Sequence, residues 1–221
     1  MTNYQKDLDK LLENLPSAAH PTLLLHACCG PCSSYVLEYL SKRFQITVLY
    51  YNPNIYPQEE YERRFSELRA LYEKFPPALE GKVSVVEIPY DSEDFYTAVG
   101  TREQPELANE PERGERCRRC YEFRLRRAFE YAAAHNFDYF CTTLSISPFK
   151  DAEKLNVIGM DLANNVDNGN NGDSPRWLPS DFKKKGGFKR SLEISEEYGM
   201  YRQQYCGCVY SKNNKKSEKN T

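Results

Sequence analysis

The chain has 221 residues, with 30 Lys and Arg against 32 Asp and Glu and a formal net charge of -2. That length suffices for one large α/β domain with its own core, and the near-neutral balance means that any electrostatic case for a nucleic-acid partner must rest on local patches. No apolar run of about eighteen residues is present, which argues against a membrane span, and Met1 to His20 lacks the apolar centre of a signal peptide, leaving the cytoplasm as the expected compartment.

Residues 1–20 read as a polar N-terminal extension, followed by a catalytic domain over 21–211. Thr22 to Ala27 is a short apolar run ending in small residues, as in a buried parallel strand. Gly30 and Pro31 turn the chain into a helix over Ser33 to Arg43. Ile46 to Tyr51 is a second strand, Glu59 to Lys74 a charged amphipathic helix, Val83 to Ile88 a third strand, and Ser92 to Val99 a short helix. Arg116 to Ala134 is a long helix whose buried face is Tyr121, Leu125, Ala128, Phe129 and Ala132 at helical spacing. Phe137 to Thr142 is a fourth strand, and Asp151 to Asn164 and Ser191 to Arg202 are helices. The Asn- and Gly-rich stretch 164–175 reads as a mobile loop and the Lys-rich 212–221 as a disordered tail. Strands alternating with helices predict a Rossmann-like parallel sheet covered on both faces. Ligands of such sheets bind beyond the carboxyl ends of the strands, which directs attention to the cysteines after the first strand and to Thr142 to Pro148 after the fourth.

Eight cysteines in a chain with no export signal point to metal binding or redox work rather than a disulfide framework. Cys28, Cys29 and Cys32 lie in His-Ala-Cys-Cys-Gly-Pro-Cys at a strand-to-helix turn, where the helix dipole favours thiolates. Cys29-Gly-Pro-Cys32 also fits a thioredoxin-type motif, which would need neither Cys28 nor the distant cysteines. Cys117 and Cys120, two residues apart at a helix start, add two thiolates to Cys28 and Cys29; four such ligands suit structural zinc or a cubane cluster. A location at the ligand-binding edge favours the redox metal. Cys206-Gly-Cys208 permits a small, strained and easily reduced disulfide, with a second metal site as the competing reading. Cys141, ending an apolar strand, reads as an inert core thiol, and His26 as a core histidine bonded to a backbone carbonyl.

These motifs together closely resemble the cobalamin-independent epoxyqueuosine reductases, the QueH family. The resemblance is carried by Leu24 to Cys32 (LLHACCGPC), Tyr51 to Ile55 (YNPNI), Arg116 to Tyr121 (RCRRCY), Thr142 to Pro148 (TTLSISP), Leu178 to Lys184 (LPSDFKK) and Tyr201 to Cys208 (YRQQYCGC). It implies reduction of epoxyqueuosine to queuosine at the wobble position of tRNA. It also implies a [4Fe–4S] cluster on Cys28, Cys29, Cys117 and Cys120, with an additional iron as a further candidate, and a redox-active pair at Cys206 and Cys208. The implied fold resembles the adenine-nucleotide α-hydrolase type; the Ser-Gly-Gly-x-Asp-Ser phosphate loop of tRNA-thiolating relatives is missing, and cysteines stand in its place.

Opening an epoxide to an alkene takes two electrons and two protons and releases water. Asp181 is the candidate metal ligand or proton donor, with a loop or capping aspartate as its alternative; Ser147 and Lys150 are candidate substrate contacts. The partners expected are tRNA carrying epoxyqueuosine in its anticodon loop and an electron donor outside the chain. Arginines over 113–127 and Lys183, Lys184, Lys185, Lys189 and Arg190 are candidate phosphate contacts, though a solvated helix face gives the same pattern. Tyr51, Tyr56 and Tyr121 are candidate platforms for an extruded base. Two rival readings are a zinc-stabilised RNA-binding module, which metal content separates, and an ATP-dependent tRNA-thiolating enzyme, which ATP dependence separates.

Overall fold

A computed structural model describes residues 2–16, 18–164 and 174–218. The stretch read as a mobile loop falls largely on 165–173, outside the described residues. Five strands, β1 (Thr22–His26), β2 (Gln45–Tyr50), β3 (Ser84–Glu87), β4 (Tyr139–Thr142) and β5 (Arg176–Trp177), form one sheet in the order β3-β2-β1-β4-β5. All four pairings are parallel. Leu23, Leu24 and Leu25 are all fully buried, because helices cover both faces and neither side of β1 meets water. Leu23 and Leu25 pack in one core with Ile46 and Val48, while Leu24 packs in the other with Leu49 and Phe140, the two-residue alternation of a pleated strand.

The first core is closed by α2 (Gly30–Leu40), α3 (Gln58–Tyr72), α4 (Pro76–Glu80) and α8 (Gly187–Glu197), and the second by α6 (Glu115–Ala134) and α7 (Ala152–Asn164). Helix α5 (Ser92–Val99) packs against α6. The chain lays down β1, β2 and β3 in one direction, then returns to place β4 on the other side of β1. The connections therefore diverge at the carboxyl ends of β1 and β4, where a crevice opens. His26 is in register with Thr142 there.

Some expectations are corrected. The N-terminal extension belongs to the fold: α1 (Tyr4–Asn14) buries Leu8 completely, and Arg43 donates to the carbonyls of Leu12 and Leu15 at 2.8 and 2.7 Å. Helix α2 starts at Gly30, so Cys32 sits in its first turn. Helix α8 ends at Glu197 rather than Arg202, leaving 198–208 as an irregular strap. A helix, α9 (Val209–Glu218), occupies most of the segment read as a disordered tail. Among the described residues, no helix is long and apolar enough to cross a membrane.

Candidate redox site

The turn after β1 is held by buried polar contacts. The His26 ring lies between Thr142 Oγ1 at 2.9 Å and the Tyr51 carbonyl at 3.0 Å, tying β1 to both neighbouring strands. This is the core role expected for it. Burial pushes the ring pKa down to about 4, so it is neutral at pH 7. Asn52 donates to the Ala27 carbonyl at 2.8 Å and accepts from Arg124 at 3.2 Å. The backbone then runs extended through Cys29 into α2.

This turn gathers Cys28, Cys29 and Cys32: their sulfurs all lie within 4.8 Å of one another, with Cys28 and Cys29 3.8 Å apart. No disulfide joins any of the three. Their thiols are not equivalent. Hydrogen bonds from Cys29 and Cys32, aided by Arg124 and Arg64, bring the Cys28 thiol well below its ordinary pKa, whereas burial pushes Cys29 up to about 12. Cys32 is raised well above its ordinary value by its hydrogen bonds to Cys28 and Cys29. The helix N-terminus therefore does not lower every thiol near it; one anion is favoured and the others become its donors.

Cys117 and Cys120 open α6. Cys117 packs in the buried cluster of Cys28 and Cys29, and Cys120 packs with Cys206 and Cys208. Among the described residues, neither joins a three-ligand group as compact as that of Cys28, Cys29 and Cys32. The expected ligands Cys117 and Cys120 thus fall in separate clusters, while the tight trio contains Cys32, which was read only as part of a thioredoxin-type alternative.

The strap brings the third cysteine group to the same place. Arg64 of α3, almost fully buried, pairs with Glu60 at 2.7 Å and donates to the carbonyls of Tyr205 and Cys206, each at 3.4 Å. Tyr56 N–H donates to the Gly207 carbonyl at 2.8 Å. Gly207 has φ +124°, and a Cβ there would lie 3.1 Å from Asn54 and Ile55; the residue between the two cysteines must be glycine. Cys206 and Cys208 are not bonded to each other, with sulfurs 3.6 Å apart. The hydrogen bond from Cys208 and the charge of Lys150 hold the Cys206 thiol well below its ordinary pKa, and Cys208 is raised in return.

A cavity of about 360 Å³ joins these groups; Cys28, Cys32, Ser147, Lys150, Gln203 and Cys206 are among its lining residues. The loops after β1 and β4 therefore do meet. Lys150 is buried, with its Nζ 5.7 Å from the Tyr121 ring centroid. Burial works against its charge, but Cys206, Tyr121 and Cys117 outweigh that and keep it protonated.

Other candidate residues sit elsewhere. Asp181, at the end of the segment after β5, is bonded to Lys183 and is not among the cavity-lining residues. Cys141 is fully buried, with its thiol pushed up to about 12 by burial, as an inert core thiol should be. Tyr51 and Tyr121 are buried, leaving Tyr56 as the exposed member of the three proposed platforms. The arginines of α6 do not form an open phosphate patch. Arg116 and Arg124 are buried, Arg118 pairs with Glu115 and Glu122, Arg119 with Glu115, Arg126 with Glu122, and Arg127 with Glu130. In the second segment Lys185 pairs with Asp9 and Arg190 with Glu38. Gln203 and Arg64 were missed. Gln203 lies in one quoted motif and Arg64 in none; the four-residue spacing of Arg64 from Glu60 signals that ion pair, while the long-range contacts of both residues carry no spacing signal.

A five-stranded parallel sheet with a cysteine-lined cavity at its switch point defines a Rossmann-like thiol or metal site. The same fold is found in the U34-tRNA thiolase NcsA from Methanococcus maripaludis, solved with its [4Fe-4S] cluster, at a TM-score of 0.50 and 12% identity over 98% of this chain and 73% of that one. The family model for epoxyqueuosine reductase QueH matches residues 23–214. Relatives bearing that name include those of Streptococcus pyogenes serotype M1, 36% identical over 95% of this chain and 79% of the relative, and Staphylococcus aureus, 39% identical over 95% and 83%. The protein of Thermotoga maritima is 31% identical over 86% and 90%. The chain belongs to the epoxyqueuosine reductase QueH family.

Proposed function

We propose that this chain reduces epoxyqueuosine to queuosine in the anticodon loop of tRNA, using an iron–sulfur cluster and a dithiol at Cys206 and Cys208. The observation that carries this reading is that Cys28 and Cys32 of the trio and Cys206 of the Cys206–Cys208 pair line one cavity in a chain that matches its family from 23 to 214.

The donor set fits a soft, thiolate-bound metal group. The trio contains no carboxylate, and the buried cations Arg64, Arg124 and Lys150 offset thiolate charge. Gln203 Oε1 is buried without a partner on the wall of the cavity, as a polar group awaiting a ligand would be. Cys28, Cys29, Cys117 and Cys120 would hold a [4Fe–4S] cluster, which supplies one-electron transfer when bound. Cys32 is left as the thiol nearest the first two, available to an additional iron.

The chain's own residues account for the balance. Oxidising the Cys206 thiolate and the Cys208 thiol to a disulfide releases two electrons and one proton. The Lys150 ammonium supplies the second proton, to the departing epoxide oxygen. The products are alkene, disulfide, water and neutral Lys150, and an outside donor then restores the dithiol. Lys150 lines the cavity and Asp181 does not, which favours Lys150 for the proton; Asp181→Asn is the comparison that separates the two.

The test is conversion of epoxyqueuosine in tRNA by anaerobically purified protein with a chemical reductant and neither cobalamin nor ATP, followed by nucleoside mass spectrometry. Queuosine should form, and the protein should hold about four irons and four sulfides per chain. Stoichiometric zinc without sulfide in active protein would overturn the cluster, and an absolute need for ATP would point to thiolation.

A further inference from the structure

One side chain touches both the strap and the cysteine trio. Gln203 Nε2 donates to Cys29 Sγ at 3.1 Å and approaches Cys32 Sγ at 3.7 Å. Its Oε1 is buried and has no donor, and the residue lines the cavity. The strap is anchored on both sides of it. Tyr201 OH bonds Glu60 Oε2 at 3.1 Å and Arg202 donates to Ser195 Oγ at 2.9 Å; beyond it, Arg64 holds the carbonyls of Tyr205 and Cys206. The carboxamide therefore has little freedom. A metal-bound sulfur only accepts hydrogen bonds, so once Cys29 holds the cluster proposed above the amide nitrogen must face it, with Cys32 within reach of the same nitrogen. The oxygen is then turned away from them, and a buried carbonyl without a donor is costly unless a ligand supplies one.

We infer that Gln203 is a positioning residue linking the two halves of the site: its N–H groups hold the sulfurs of Cys29 and Cys32, and its Oε1 accepts an N–H or O–H donor of the bound nucleoside. The inference rests on the function proposed above, since the donor is one the modified nucleoside would bring. Hydrogen bonds to ligand sulfurs withdraw electron density and raise the potential of an iron–sulfur centre. Gln203 thus sets how readily the centre is reduced while sensing whether a substrate is present.

Gln203→Glu keeps the shape and the acceptor but loses the donors, and Gln203→Met loses both. Iron content and thermal unfolding are checked first, followed by an EPR-monitored redox titration without RNA. Both variants should titrate at a more negative potential than the wild type, whereas wild-type potentials in both would overturn the sulfur contact. If either loses its iron, Gln203→Asn, whose carboxamide is withdrawn by one methylene, must show the same negative shift. In steady-state assays with epoxyqueuosine-containing tRNA, Gln203→Met should raise KM by about fivefold to tenfold, the loss of one hydrogen bond. An unchanged KM would overturn the acceptor role. Wild-type protein that titrates normally but leaves epoxyqueuosine untouched would overturn the function and leave the sulfur contact standing.

Discussion

Cys206 and Cys208 are separated by one residue yet are pushed in opposite directions, because a shared hydrogen bond stabilises charge on one sulfur at the other's expense. The charge of Lys150 adds to the preference for Cys206. Cys206 should therefore alkylate faster than Cys208 throughout the neutral range, and in Lys150→Met that preference should shrink, as quantitative mass spectrometry would show. Cys206→Ser and Cys208→Ser should each keep the iron and the visible absorption yet lose multiple turnover. Loss of iron from either variant would make the pair metal ligands instead. His26 gives a separate pH dependence. Its pKa is about 4 when folded and about 6.5 when unfolded, so between these values the unfolded chain binds the extra proton. Stability from this group is complete above about pH 6.5 and is lost as pH falls towards 4, to a total of about 3 kcal/mol. Chemical unfolding at pH 7 and pH 5 should show the loss, and His26→Gln should reduce it.

At the scale of elements, the strap over 198–208 has no regular hydrogen bonding of its own and depends on α3. Removing one partner of a buried ion pair leaves the other charge uncompensated, so Arg64→Met should destabilise the protein by about 3 kcal/mol, measured by denaturant unfolding under anaerobic conditions. Adding Glu60→Gln should recover part of that loss, since the stranded carboxylate disappears. Helix α6 presents the opposite case. Its exposed arginines are paired along the helix with Glu115, Glu122 and Glu130, and exposed pairs of this kind contribute about 0.3–0.5 kcal/mol each. Arg126→Ala and Arg127→Ala should accordingly change stability by less than about 0.5 kcal/mol and leave tRNA affinity near the wild-type value in a filter-binding assay. A large loss of affinity would return α6 to the RNA footprint.

Across the whole molecule, α1 ties the start of the chain to the sheet. Leu8 is fully buried in the core formed with Leu37, Leu40 and Phe44, so Leu8→Ala should cost about 2–5 kcal/mol, read as a lower midpoint in the same unfolding experiment. A near-neutral result would mean that residues before Thr22 form the appendage their composition suggests. The site lies at the carboxyl edge, between β1 and β4, so this loss should appear in stability and leave the reduction potential unchanged.

The sequence alone determined the alternation of strands and helices, the sheet class and the cysteine groups. These are local signals: three leucines in a row on a strand covered on both faces, helical spacing along 121–132, and cysteines fixed in short motifs. Its errors also have local causes. The two-residue β5 is too short to show a period, and the charged residues of α1 mask its single apolar face. Only the tertiary structure decided that the strap crosses to Cys29, that Cys32 joins Cys28 and Cys29, and that Lys150 faces Cys206 while Asp181 turns to Lys183. It also decided that the arginines of α6 are buried or already paired. Each of these depends on partners brought together by packing, as with Gln203 and Cys29, which are 174 residues apart in the chain. Spacing along one chain reports which side chains share a face; burial and the direction of a hydrogen bond depend on what the rest of the fold places opposite.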